Sequence, residues 1–217
     1  MMKQKQTSTM LIYKHGERLR KSILAGICIG IGATVYLSCS NKYIGALLFG
    51  IGLFLICTYN LNLFTGKVGY AIKQRKQYNL LYYIEIWIGN LIGCAIVTLP
   101  LRIAKPELTI VAETMVNSKL SQTVPQMIIL GIMCGVMMFI AVNTYRIADN
   151  SQDEILGIFL PVIIFILCGF EHSIANMCYM FFAIDFNIIQ VTNSIIYIII
   201  ISLSNAAGSI LFCSLKG

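Results

Sequence analysis

Charge is what this chain has least of. Of its 217 residues only 12% are charged, while 58% are hydrophobic; an ordinary soluble domain carries roughly 25% charge. That shortage excludes a water-solvated globule. Proline is confined to Pro100, Pro106, Pro125 and Pro161, and no low-complexity stretch or Pro/Gly/Ser-rich linker divides the chain, so one compact domain is expected. The eight cysteines (Cys28, Cys39, Cys57, Cys94, Cys134, Cys168, Cys178 and Cys213) form no Cys-x-x-Cys pair and no Cys/His group at ligand spacing. They read as small packing residues, with no metal site among them. No nucleophile or ligand cluster of catalytic spacing occurs, which disfavours an enzyme, and no cofactor is required. The net charge of +7 does not indicate nucleic acid, because the basic residues cluster at the ends of apolar runs, where they anchor helices beside lipid headgroups.

What the chain has in quantity is long apolar runs. Crossing the hydrocarbon takes about 20 residues per helix, and six such runs are present, over residues 22–40, 43–72, 79–103, 124–145, 155–184 and 188–214. They predict an all-α integral membrane protein with a six-helix domain over 22–214 and a cytoplasmic N-terminal segment over 1–21. The first twenty residues are polar and basic, so the first apolar run reads as a transmembrane helix and not as a cleavable signal. Met10 to Lys21 is either a short amphipathic helix on the inner surface or a solvated leader. The longest non-helical connection is expected over 104–123, facing outward.

Placing both termini in the cytoplasm puts Lys3, Lys5, Lys14, Arg18, Arg20, Lys21, Lys73, Arg75, Lys76, Arg146 and Lys216 inside, against Lys42, Arg102, Lys105 and Lys119 outside. The excess of inside cations favours that orientation, in a cell membrane.

Two of the runs are interrupted. In the second, Tyr59-Asn60-Leu61-Asn62-Leu63-Phe64-Thr65-Gly66-Lys67 brings amides, a hydroxyl, a glycine and a cation into an apolar span; in the fifth, Gly169-Phe170-Glu171-His172-Ser173-Ile174-Ala175-Asn176 does the same. A charge near the bilayer centre costs roughly 2.5 to 3.5 kcal/mol on insertion scales, so Lys67 and Glu171 are expected to face protein or a water-filled cavity. Paired broken helices in corresponding halves point to a transport site. Thr65 and His172 lie 107 residues apart, about half the chain. Gly89-Asn90-Leu91-Ile92-Gly93 in the third helix and Ser204-Asn205-Ala206-Ala207-Gly208 in the sixth share one arrangement. Together these predict two inverted three-helix repeats, with Asn90 and Asn205 in close helix packing and not in contact with a permeant.

Leu160 to Met177, LPVIIFILCGFEHSIANM, resembles the fifth-helix signature of the formate/nitrite transporter family around Glu-His-x-x-x-Asn, and Leu63-Phe64-Thr65 resembles its second-helix loop. Gly52-Leu53, the Ile88 to Gly93 segment, Leu130-Gly131-Ile132 and Asn205 extend the likeness over residues 22 to 212. The resemblance implies an aquaporin-like fold assembled as a homopentamer, each protomer with its own pore for a small monovalent anion or its conjugate acid: formate, nitrite, hydrosulfide, or in some members acetate or lactate. Carried over by position, Thr65 and His172 are the polar pair in mid-pore. Phe49, Leu53, Leu63, Phe64, Met138 and Phe165 correspond to its hydrophobic constrictions, and Lys119 to a lysine drawing anions to the outer vestibule.

The chain departs from the family pattern at Gly135, where formate channels tend to carry asparagine, and at Lys67 and Glu85, which are expected to pair with each other. Glu171 and Asn176 read as support for the fifth-helix break. Lys67, with Lys119, is assigned to anion attraction. His172, with an ordinary pKa near 6.5, suits two mechanisms: cycling a proton with the anion, or polarising a passing anion. A neutral-solute channel of aquaporin type is the principal alternative, but the Asn-Pro-Ala motifs of that type are absent. A membrane enzyme using Glu171 and His172 is the lesser one.

Overall fold

The computed structural model describes residues 2–185 and 187–216, with side chains from Lys14 onward. Lys3 and Lys5 of the charge count therefore have side chains outside the described residues, as does the first part of the expected interfacial segment. The elements in chain order are α1 (Met2–Ser38), α2 (Lys42–Thr58), α3 (Phe64–Lys67) continued by a 3-10 turn over Val68–Tyr70, α4 (Leu80–Ala104), α5 (Pro106–Leu120), α6 (Val124–Ile147), α7 (Ser151–Leu167), α8 (Ser173–Ala183) and α9 (Ile188–Lys216). Among the described residues four helices, within α1, α4, α6 and α9, are long and apolar enough to cross a membrane. Their exposed faces carry Ile84, Ile88 and Ile92 on α4 and Ile195, Ile199 and Leu203 on α9. Such continuous apolar surface suits lipid and not water.

Two expectations change. The segment over 10–21 is no separate element: it lies within α1, which begins before it and runs on unbroken to Ser38. Residues 104–123, expected to lack helix, contain α5, started by Pro106 at its first turn, where the missing N–H has no helical partner to lose. The sequence reading overlooked it because α5 has too little apolar character to read as a span.

The expected breaks in the second and fifth runs are present, and they are built alike. After α2 the Leu61 N–H donates to the Ile56 carbonyl at 2.9 Å and the Asn60 N–H to Cys57 at 3.1 Å, with Asn60 left-handed at φ 48°. After α7 the Phe170 N–H donates to Phe165 at 2.9 Å and the Gly169 N–H to Ile166 at 3.1 Å, with Gly169 at φ 69°. Both are Schellman closures, which satisfy the last helical carbonyls and turn the chain sharply. The next residue is anchored on a neighbouring helix, Asn62 N–H to the Lys21 carbonyl in α1 and Glu171 N–H to the Leu130 carbonyl in α6.

The second strand of each break is then held by one asparagine. Asn90 on α4 accepts from the Phe64 N–H at 2.8 Å and donates to the Asn62 and Ser22 carbonyls, each at 2.8 Å. Asn205 on α9 accepts from the Ser173 N–H at 2.9 Å and donates to the Glu171 and Gly131 carbonyls, each at 2.8 Å. Both side chains are fully buried. Asn90 and Asn205 lie at close helix crossings, as expected, facing Gly26 and Gly135, and their side chains act in addition as polar clamps. A Cβ on Gly93 would overlap the Ile23 carbonyl of α1, and one on Gly208 the Ile132 carbonyl of α6. Gly135 belongs to the same crossing: a Cβ there would overlap the Asn205 carbonyl, so its smallness serves the approach of α6 to α9.

The breaks also set the register between halves. Asn60 pairs with Gly169, Leu61 with Phe170 and Asn62 with Glu171, so that His172 corresponds to Leu63 and not to Thr65, as their 107-residue spacing had suggested. The half-elements beyond the breaks cross over: α8 packs on α4 and α5, while α3 reaches α6 and the 3-10 turn lies on α9.

The expected Lys67–Glu85 pair does not form. Glu85 instead receives Arg18, and His15 Nδ1 at 2.8 Å, both from α1. The sequence placed Glu85 within reach of Lys67 by depth alone, and α1, packed along α4, is nearer.

Replacing either clamp by leucine strands two buried backbone groups of its break, the Phe64 N–H and Asn62 carbonyl in one half or the Ser173 N–H and Glu171 carbonyl in the other, while the Ser22 and Gly131 carbonyls keep their helical partners. At about 1 kcal/mol or more for each buried group left unpaired, Asn90→Leu and Asn205→Leu are each expected to destabilise the protein by about 2 kcal/mol, and by similar amounts. Thermal unfolding in detergent measures this, with Ser214→Ala on the exposed end of α9 as the neutral control.

Candidate functional site

The two breaks deliver their side chains to one place. Leu63, in extended backbone, precedes α3 and puts Thr65 in its first turn. His172, also extended, is the N-cap of α8. Thr65 Oγ1 and His172 Nε2 lie 2.9 Å apart, and both residues are essentially fully buried. The Ala175 N–H donates to His172 Nδ1 at 3.1 Å. Since Nδ1 is an acceptor, the neutral ring carries its hydrogen on Nε2 and donates it to the threonine oxygen. The Thr65 hydroxyl hydrogen can then be offered to a third group. A second proton on the imidazole would displace the backbone N–H that caps α8.

Aromatic packing continues from the imidazole. Phe165 stacks on the imidazole at 5.6 Å and meets Phe49 edge-on at 6.1 Å. Phe49, Leu53, Leu63, Phe64, Met138 and Phe165 are all buried. Of these, Leu63 reaches a cavity on one side and Phe165 a cavity on the other. The first, of about 230 Å³, is lined by Leu63 together with Asn60, Gly66, Lys67 and Arg146. The second, of about 130 Å³, is lined by Phe165 and His172 with Lys119, Asn176, Tyr36 and Tyr179. Leu63 in the first follows Asn62, whose N–H is bound to the carbonyl of Lys21 at the start of the apolar part of α1, whereas Tyr36 in the second lies near its end. At 1.5 Å rise per residue, the two cavities sit about 20 Å apart along the helix, with the polar pair between.

Glu171 is buried in a dense network. One carboxylate oxygen accepts from Lys119 Nζ at 2.6 Å and from Asn176 Nδ2 at 2.8 Å, and the other accepts from Gln122 Nε2 at 2.8 Å. Gln122 Oε1 in turn accepts from the Tyr197 hydroxyl at 3.3 Å. The carboxylate thereby ties the α5–α6 connection to the break, and its charge offsets that of Lys119. Lys67 has no such counter-ion: among the described residues no carboxylate lines its cavity, and Arg146, held 4.7 Å above the Tyr70 ring, adds a second cation.

The structure thus brings together Thr65 and His172, which the sequence paired, and Glu171 and Asn176, which it assigned to support of the break; Lys119, assigned to anion attraction alone, joins the second cluster as the counter-ion of Glu171. The sequence reading missed Gln122, Tyr197 and Arg146. A lone glutamine in a helix connection, a tyrosine in an apolar run and an arginine at a helix end carry no local signal; only tertiary packing brings them to the site. The clamping of the breaks by Asn90 and Asn205 could have been read from one fact: each break exposes backbone that some polar side chain must satisfy at that depth.

Comparison with known proteins agrees with this architecture. The chain is 27% identical over 177 residues to the formate channel FocA of Escherichia coli (strain K12), an alignment covering 72% of this chain and 62% of that protein. It is 28% identical over 199 residues to a formate-nitrite transporter of Plasmodium knowlesi, covering 76% of this chain and 63% of that one. The chain therefore spans less than two thirds of the length of these relatives. Among solved structures, a pentameric formate channel with formate bound superposes with a TM-score of 0.79 at 25% identity, over 94% of this chain and 96% of that one. An FNT family ion channel gives 0.80 at 21% identity, over 92% and 88%, a likeness of fold. The family model described as formate/nitrite transporter matches residues 4–216, and with that match over nearly all of an all-helical, multi-pass membrane protein, the chain belongs to the formate/nitrite transporter family.

Proposed function

We propose that the chain forms a channel or transporter for a small monovalent anion or its conjugate weak acid, of the formate, nitrite or hydrosulfide type. The observation that carries this reading is the Thr65–His172 hydrogen bond, made between two helix breaks and set between two cavities. A bare anion loses heavily on leaving water, and a neutral acid far less. The buried ring of Phe49, Leu53, Leu63, Phe64, Met138 and Phe165 opposes charge, while Thr65 and His172 supply hydrogen bonds where water is absent. Lys119 and Lys67 raise the anion concentration at the two cavities, the former partly neutralised by Glu171. With Nδ1 of His172 engaged by the Ala175 N–H, the ring works as a neutral donor, and proton coupling arises because the permeant acid brings its own proton.

In this reading six crossings form two inverted three-helix repeats in an aquaporin-like arrangement, α2 with α3 and α7 with α8 each making one broken crossing. The matching closures and asparagine clamps of the two halves support it. A homopentamer with one pore per protomer follows the pentameric formate channel that the chain resembles. Both termini lie in the cytoplasm of a cell membrane, and the relatives named above are channels and transporters, not enzymes.

The reading is tested by uptake of formate, nitrite, hydrosulfide, acetate and lactate into proteoliposomes with and without an inward proton gradient. At least one anion is expected to enter, faster under the gradient, and His172→Phe to reduce that uptake about tenfold or more; absence of uptake of all five under both conditions contradicts the proposal. Thr65→Val leaves the Nε2–H of His172 without its acceptor, and a lost buried hydrogen bond of about 1.5 kcal/mol corresponds to roughly tenfold slower passage. Thr65→Ser restores the hydroxyl and is expected to retain most of the wild-type rate in the same assay.

A further inference from the structure

The two cavities differ in charge in a way that the shared role of anion attraction does not explain. In the cavity beside His172 the cation, Lys119, lies 2.6 Å from the Glu171 carboxylate, so the pair adds little net field. The cavity on the other side is lined by both Lys67 and Arg146, with no carboxylate among its described lining residues. Neither forms an ion pair among the described residues. Asn60 lines the same wall, held left-handed by the α2 closure. Two cations together favour an anion with two charges, and at about 230 Å³ the space exceeds several times the roughly 30 Å³ share of a liquid water molecule.

The next barrier, however, discriminates by charge. Beyond Leu63, the proposed path must pass the constriction side chains Phe49, Leu53, Phe64, Met138 and Phe165, all of them buried and apolar. The desolvation penalty of an ion grows with the square of its charge, so a doubly charged anion meets about four times the barrier of a singly charged one. It has the strongest reason to enter this cavity and the strongest reason not to leave it forwards.

We propose that the cavity formed by Lys67, Arg146 and Asn60 is a binding site for a doubly charged oxyanion, of the sulfate or hydrogen phosphate class, which occupies it without passing and so blocks the pathway from that side. The site rests on the proposed anion pathway for its effect on transport, but not for binding itself. Arg146 supplies a planar donor fork suited to two oxygens, pre-positioned on the Tyr70 ring, and Lys67 a mobile second charge. In the proposed orientation the block acts from the cytoplasm, making transport sensitive to the oxyanion level there.

The test uses sulfate, which is doubly charged throughout the neutral range, with chloride at equal ionic strength as control. Formate uptake is followed in inside-out and right-side-out membrane vesicles carrying the full chain, and each rate is expressed relative to the same preparation without sulfate. Sulfate is expected to inhibit in inside-out vesicles alone. Arg146→Gln and Lys67→Gln are each expected to raise the half-inhibiting sulfate concentration about tenfold, the scale of one charge-assisted contact, while Arg146→Lys, which keeps the charge and loses the fork, falls between wild type and Arg146→Gln. Sulfate titration of the purified protein by calorimetry, on the same variants, reads binding without transport. Uptake that is indifferent to sulfate, or inhibition unchanged in both glutamine variants, overturns the inference while leaving the anion pathway intact. If no formate moves but sulfate binds to wild type and about tenfold more weakly to both glutamine variants, the site stands and the formate pathway fails; no movement and no binding overturns both.

Discussion

Backbone that leaves a helix inside a membrane has no water to satisfy it, and the rest of this structure is arranged around that constraint. Two helices stop midway, and at each stop a Schellman closure, an anchoring bond to a neighbouring helix and one asparagine account for the released N–H and carbonyl groups. Asn90 and Asn205 each join three backbone groups from two elements, so neither break could be held with an apolar residue in that place. Their reach is short. It requires α1 to lie against α4 and α6 against α9 at backbone distance, which Gly26, Gly93, Gly135 and Gly208 permit. Small residues and buried amides, which look like separate features of the sequence, thus serve one requirement.

Function follows from what the breaks present. A continuous helix would bury its polar backbone and offer the interior only side chains of one face. A capped break lets the chain place a threonine in a first turn and a histidine at a cap, facing each other across the junction of the halves. The cap fixes more than position. Because the imidazole accepts the Ala175 N–H, the state of its other nitrogen is decided by helix geometry, and the same bond that starts α8 orients the donor toward Thr65. The Glu171 network does comparable work one residue earlier, holding the break to the α5–α6 connection through Lys119 and Gln122.

Much of this was legible in the residues. The apolar runs marked where the long helices lie, and the polar interruptions at Asn60 to Lys67 and Gly169 to Asn176 marked the breaks, because such groups have no other reason to lie at that depth. Three things were not legible. Helix α5 has weak apolar periodicity and reads as a connection, although Pro106 and the acidic Glu107 mark its start. Glu85 pairs with α1 and not with Lys67, since depth in the membrane says nothing about which neighbour a helix face meets. The register between the breaks was blurred because Thr65 and His172 are partners in space without holding matching positions in the two breaks; the position matching His172 is Leu63, and only the hydrogen bonds of the closures reveal it.

The central claim is that a small anion passes at the Thr65–His172 pair, between Leu63 and Phe165. The most direct test is a crystal structure of the protein with formate at a concentration that saturates uptake. The account predicts formate with an oxygen within hydrogen-bonding distance of the Thr65 hydroxyl or the His172 Nε2–H, enclosed by the buried apolar side chains. Formate held along another route through the protomer, with the Thr65–His172 bond undisturbed and no anion beside it, would contradict it.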